Sequence, residues 1–228
     1  MVNIIVTNRS WNEGLVDKLQ NLTGKKFMLI TKESDLTLYN LNKIRPGYIF
    51  FPHWSYLIKE EIYKNFECII FHMTDLPFGR GGSPLQNLIV RGIYETKMSA
   101  LKCQGDLDSG PIYLKRPLSL YGTAEEIYLR ASKVIEEMIV YIIGNQPQPV
   151  EQKGELVYFT RRRPEDGNIA SLAELEQVFD YIRMLDAEGY PKAFLETQCF
   201  RLEFERASLK EGEMIADVRI TRKREADE

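Results

Sequence analysis

Histidine is scarce in this chain: there are two in 228 residues, His53 and His72. The three cysteines, Cys68, Cys103 and Cys199, show no Cys-x-x-Cys spacing, so the usual ligand sets of a zinc site are missing and no metal is expected. Scattered thiols of this kind fit a reducing compartment better than a disulfide framework. The sequence carries no Gly-x-Ser-x-Gly, no Walker loop and no Gly-x-Gly-x-x-Gly, and so shows no signature of a serine-elbow hydrolase, a P-loop enzyme or a dinucleotide-binding oxidoreductase. No apolar run approaches the ~18 residues of a membrane-spanning helix. The first residues lack the basic start of a secretory leader. The expectation is a cytoplasmic protein without a membrane partner. Positive charge is not in excess either: the net charge is −3 and the isoelectric point about 5.7. That balance argues against a nucleic-acid partner, which calls for a basic face.

At 44% hydrophobic and 28% charged residues, the composition is that of an ordinary globular chain with a sizeable core. Residues 2–7, 27–30, 48–51 and 68–71 are short apolar runs, as strands buried on both faces require. Helical spacing over 12–22 and 58–63 separates them, while 35–42 favours neither period. Further on, 85–91 reads as a helix, 96–103 and 112–117 as strands. Thr123 and Glu126 form a capping box that opens a helix running to about residue 143. This alternation predicts an α/β sheet. The proline-rich link at 144–149 predicts a boundary, with a core over 1–147 and an extension over 148–228. The extension reads as a strand at 157–160, a helix opened by Ser171 and Glu174, and strands at 197–206 and 213–221. The basic triplets Arg161–Arg163 and Arg222–Arg224 lie among acidic residues. The second reads as solvated surface, the first as a candidate phosphate contact.

Chemistry concentrates in residues 71–84, where an apolar strand delivers His72 to a loop punctuated by Pro77, Gly79, Arg80, Gly81, Gly82 and Pro84. A second, acidic loop over 104–110 follows one segment later. Taken singly, each piece has an ordinary reading: a hydrogen-bonded strand-end histidine, a connection, a capped turn. Their ordered combination points to acid–base or electrostatic chemistry by His72 and an aspartate.

The pattern His72-x-x-x-Leu76-Pro77-x-x-Arg80-Gly81-x-x-Pro84, followed by Leu107-Asp108-Ser109-Gly110, resembles the catalytic core of the formyltransferase family. The resemblance implies a Rossmann-like core with a small helix-plus-β C-terminal extension. It also implies 10-formyltetrahydrofolate as donor, a primary amine as acceptor, and His72 with Asp108 as the catalytic pair. The family usually carries Asn two residues before the histidine; Ile70 stands there, and His53 is the candidate to hold the formyl oxygen in its place. By the same resemblance, Phe51, Trp54, Leu57, Cys103, Gln104, Asp106 and Leu107 would border the folate. Asn8, Arg9, Ser10, Arg80, Gly81 and Arg163 are the candidates to face the acceptor, with an internal brace of its loop as the other reading of Arg80, the one the family pattern favours. The segments 163–169 and 190–194 resemble the sugar N-formyltransferases, and the short chain with the run Phe71–Pro77 most resembles those of pseudaminic-acid-type pathways. The acceptor expected from this is a nucleotide-linked amino sugar, in particular a UDP-4-amino-4,6-dideoxy sugar, with no nucleic acid and no room for a tRNA-binding C-terminal domain. A different small amine such as glycinamide ribonucleotide, or a degenerate folate-binding module, remains as an alternative, and a homodimer is one open option for assembly.

Overall fold

The structure is a computed structural model that describes residues 1–12 and 14–223. Its elements in chain order begin with β1 (Val2–Val6), α1 (Leu15–Thr23), β2 (Lys26–Ile30), α2 (Leu38–Ile44), β3 (Ile49–Pro52), α3 (Glu60–Tyr63) and β4 (Cys68–His72). There follow β5 (Phe78–Gly81), α4 (Pro84–Ile89), β6 (Glu95–Lys102), β7 (Ile112–Ser119) and α5 (Ala124–Asn145). The chain continues through β8 (Val157–Phe159), α6 (Leu175–Arg183), β9 (Ala193–Glu196), β10 (Phe200–Lys210) and β11 (Glu213–Arg222). The helix expected from residue 12 starts at Leu15, and Glu13 lies outside the described residues.

The chain forms two compact units. The first comprises Met1–Pro84, Glu95–Leu118 and Tyr128–Phe159. Its six-stranded sheet has the order β2-β1-β3-β4-β6-β7. β2, β1, β3 and β4 run parallel, and β6 runs antiparallel to β4. This is the Rossmann-like α/β core expected. The parallel centre follows from strands that are apolar on both faces: Ile4, Ile5, Val6, Ile49, Phe50 and Ile69 are completely buried. Each such side chain contributes roughly 1.5–3 kcal/mol. β2, at the edge, leaves Met28 and Leu29 partly exposed. From β1 the chain goes first to β2 on one side and then to β3 on the other, so the switch point lies between the ends of β1 and β3, where open α/β sheets bind ligands.

β6 pairs with β4 so that Ile69 faces Lys102 and His72 faces Ser99. The acidic loop therefore leaves β6 beside the start of β4, with Cys103 N–H donating to the Cys68 carbonyl. To reach His72 it has to run back along the strand. β5, in the glycine-rich stretch read as a loop, pairs in parallel with β8.

The second unit comprises Leu85–Tyr94, Ser119–Ile127 and Thr160–Glu228. Its antiparallel sheet has the order β11-β10-β9. Arg183 of α6 is 2% exposed. It donates to Asp180 Oδ1 at 2.6 Å and to the carbonyls of Leu120 and Gly122 at 2.6 and 3.1 Å. The Thr123–Glu126 capping box is present, Glu126 N–H donating to Thr123 Oγ1 and Thr123 N–H to Glu126 Oε2. The capping box expected at Ser171 is not used. Ala170 N–H donates to Asn168 Oδ1 and Leu172 N–H to the Ile169 carbonyl, which folds this stretch as a turn and delays α6 to Leu175. Residue 224 of the second basic triplet lies outside the described residues.

Candidate active site

His72 ends β4 and is 7% exposed. Its Nε2 lies 2.8 Å from the Gly79 carbonyl, which also accepts from Thr74 Oγ1 at 3.3 Å. Its Nδ1 lies 3.5 Å from Asp108 Oδ2. A carbonyl only accepts, so Nε2 carries the ring hydrogen, and a neutral imidazole then turns its Nδ1 lone pair toward the carboxylate. The space between Nδ1 and Oδ2 is thus a place for one proton. The same Oδ2 accepts the Gly81 N–H at 3.0 Å.

Glycine at position 81 is required by two facts: its φ is +113°, and a Cβ there would collide with the Phe159 carbonyl oxygen of β8. Asp108 itself has a φ of +50°, a region that aspartate enters more readily than most residues but rarely. Its main chain is held by Gln152, whose Nε2 donates to the carbonyls of Asp108 and Gly110, both at 2.8 Å. Gln152 Oε1 accepts from Arg80 Nε at 3.1 Å and Nη2 at 2.8 Å. Sequence reasoning did not find Gln152, because a lone polar residue in a polar segment carries no pattern.

A separate cluster occupies the switch point. Thr7, Asn12 and His53 meet there, with Asn12 Nδ2 3.1 Å from Thr7 Oγ1, 3.3 Å from the Pro52 carbonyl and 3.3 Å from His53 Nδ1. The His53 ring stands edge-on to Trp11 and Tyr128, and its Nε2 is buried without a hydrogen-bond partner. Arg9 Nη2 lies 3.5 Å from Ser55 Oγ, which donates to Asn8 Oδ1 at 3.4 Å. The Arg9 guanidinium also lies over the Trp11 ring. Asn8 and Ser10 are exposed.

Burial, and secondarily the charge of Arg9, hold the His53 pKa down to about 4 from an ordinary 6.5. Native His53 therefore stays neutral where the unfolded chain takes up a proton. The resulting stability is complete above about pH 6.5 and is lost as pH falls toward 4, by on the order of 3 kcal/mol. Thermal melts over this range are expected to show the loss. In His53→Asn, whose side chain tolerates the +55° φ found here, the pH dependence should shrink; an unchanged dependence would assign it elsewhere.

The residues expected to border a folate are spread between core and surface. Phe51 and Cys103 are buried in one apolar cluster, against which Trp54 packs. Burial, with Asp108 nearby, pushes the Cys103 thiol up to about 12. Leu57 and Leu107 are 83% and 56% exposed. In the acidic loop, Gln104 donates to Ser109 Oγ and Ser109 to the Asp106 carbonyl. Arg163 belongs to the second unit; it is exposed, and its N–H donates to Asp166 Oδ2 at 2.7 Å.

The sheet topology is that of an open Rossmann-like α/β core with a buried histidine–aspartate pair at a strand end, and comparison with known proteins gives the class. A solved structure described as methionyl-tRNA formyltransferase from Clostridium thermocellum is 52% identical, covers 98% of this chain and 100% of its own, and superposes with a TM-score of 0.94. The chain belongs to the formyltransferase family. Residues 164–221 match the family described as methionyl-tRNA formyltransferase, C-terminal domain. A curated methionyl-tRNA formyltransferase from Rickettsia felis is 26% identical over 61% of this chain and 48% of its own length. The chain spans about half the length of the curated relatives it matches. Crystals of HypX from Aquifex aeolicus in complex with tetrahydrofolic acid share the fold, with a TM-score of 0.72 and 18% identity over 90% of this chain and 37% of that one.

These findings overturn the expected nucleotide-sugar acceptor and the expected absence of a nucleic-acid partner, because the similar proteins are named for methionyl-tRNA. Residues 164–221 are similar to a C-terminal domain of methionyl-tRNA formyltransferases, although the chain was expected to have no room for that family's tRNA-binding barrel. Both errors have a physical source. Net charge averages over the chain and says nothing of where its basic groups sit, and chain length does not reveal how compactly a domain is built. Among the described residues, no helix is long and apolar enough to cross a membrane and no cluster of metal-ligating side chains occurs.

Proposed function

We propose that this protein transfers a formyl group from 10-formyltetrahydrofolate to the amine of methionyl-tRNA, with His72 and Asp108 as the reacting side chains. The observation that carries the proposal is the 3.5 Å approach of His72 Nδ1 to Asp108 Oδ2, in a chain 52% identical to a protein described by that activity.

The residues present suit a folate. Trp54 has a buried indole N–H without a hydrogen-bond partner, and a pterin offers acceptors for it. The apolar side chains of Leu57 and Leu107 are exposed beside their loops and suit a flat ring. When bound, the folate supplies an activated formyl carbonyl. The protein's part is to manage the proton that the attacking amine gives up. His72 is fixed by Gly79, which leaves Nδ1 and Asp108 Oδ2 facing one another. A proton arriving between them converts their contact into a charge-assisted hydrogen bond, the stronger kind. The pair is therefore better arranged to accept the amine proton than to donate from Nε2, which is already bonded to a carbonyl. Gly81 N–H holds the carboxylate in place. In the second unit, Arg161 and Arg163 are exposed, and guanidinium groups suit phosphate.

The test is incubation with 10-formyltetrahydrofolate and methionyl-tRNA, following release of tetrahydrofolate and formation of formylmethionyl-tRNA. Product formation is expected, with a KM for tRNA that rises with salt. Donor consumed only with other amines would overturn the acceptor; donor intact with every amine would overturn the reaction.

A further inference from the structure

We infer that Gln152 is a positioning residue for the His72–Asp108 pair and acts with Arg80 as a clamp on the main chain of the acidic loop. This rests on the reading of that pair as the reacting groups. The Gln152 amide has two lone pairs and two N–H groups, and all are used: Oε1 accepts from Arg80 Nε and Nη2, and Nε2 donates to the carbonyls of Asp108 and Gly110. The orientation admits no exchange of oxygen and nitrogen, because a guanidinium only donates and a carbonyl only accepts.

The clamp has something to hold. Asp108 sits at a φ of +50°, which a non-glycine residue keeps only where its surroundings fix it. Consecutive residues of β5 grip it at both ends: Gly81 N–H binds the carboxylate directly, and Arg80 reaches the main chain through Gln152. The planar fork of Arg80 meets one oxygen with two N–H groups, which a lysine cannot reproduce. Arg80 is thereby an internal brace, the role that the family pattern favours for it over an acceptor-facing cation. Displacing a reacting group by about 1 Å costs on the order of 10²-fold in rate, so a loosened loop is read in kcat.

The decisive variant is Gln152→Glu. It keeps the shape and the acceptor for Arg80 but turns a carboxylate oxygen toward two carbonyls. Gln152→Glu and Gln152→Ala are both expected to lower kcat by on the order of 10²-fold, with KM for donor and acceptor changed by no more than about threefold. The double variant Arg80→Ala/Gln152→Ala should be no slower than the worse single one, since both act through one path. Hydrogen exchange, measured without substrate, should speed up at the Gly81 amide and across residues 104–110 in Gln152→Glu. Wild-type kcat in Gln152→Glu, a loss confined to KM, or unchanged exchange at Gly81 would overturn the inference. If the wild-type protein turns over no substrate, the formyl-transfer reading falls, while the exchange experiment still decides the clamp. Should Gln152→Ala not fold, the isosteric Glu variant carries the test alone.

Discussion

Asp108→Asn is expected to lower kcat by about 10³-fold while changing KM little, the pattern of a group that acts on a proton in the transition state. The substitution is close to isosteric. Its amide oxygen can still accept the Gly81 N–H, and its amide nitrogen then faces His72 Nδ1 at the position now held by the carboxylate oxygen. An N–H there fills the proton position between the two side chains, so the geometry survives and the capacity to accept a proton does not. His72→Asn should lose a similar factor. The double variant should be scarcely worse than either single one, because the two groups act as a unit. Steady-state release of tetrahydrofolate measures all three. Retention of a tenth or more of wild-type kcat in Asp108→Asn would remove that residue from the chemistry.

Gly81→Ala, at the end of β5, is expected to destabilise the fold strongly. It places a Cβ against the Phe159 carbonyl and forces alanine to a φ of +113°. The strain alone costs about 1–3 kcal/mol, and the steric overlap is with backbone, which cannot rotate away. Because the Gly81 N–H is bonded to Asp108 Oδ2, activity should fall in whatever fraction remains folded. Gly105→Ala is the contrast. It lies in the acidic loop, and its added Cβ would meet nothing closer than the Tyr63 hydroxyl at 3.8 Å. That variant should melt and turn over like the wild type. Thermal denaturation of both proteins separates the cases, and a harmless Gly81→Ala would show that β5 and β8 are not locked together as described.

The central strands were legible because nothing else reads as Ile49-Phe50-Phe51 or Cys68-Ile69-Ile70-Phe71: short, continuous and apolar. His72 and Asp108 were legible through the spacing of their two motifs, and they do approach one another. β5 was not, since Phe78-Gly-Arg-Gly81 has the composition of a loop and becomes a strand only through β8, far along the chain. The same distance hid Gln152. β9 was obscured by Gly189 and Pro191, which read as an interruption although the residues just after them pair with β10. The acceptor was misjudged for a different reason. Average charge and chain length are properties of the whole, whereas recognition of an anionic partner depends on where a few arginines sit.

The partners of the acidic loop are far apart in the chain: Gln152 lies 72 residues beyond Arg80 and 44 beyond Asp108. At roughly 5–20 residues per second, a ribosome delivers Gln152 some seconds after Asp108. By then every strand of the central sheet has been made, and closing so long a loop carries an entropic cost that only later contacts repay. A nascent chain can thus hold His72 on a formed sheet while the loop carrying Asp108 is still untethered. The contacts that fix the loop are complete only once the segment carrying both Gln152 and β8 has been made.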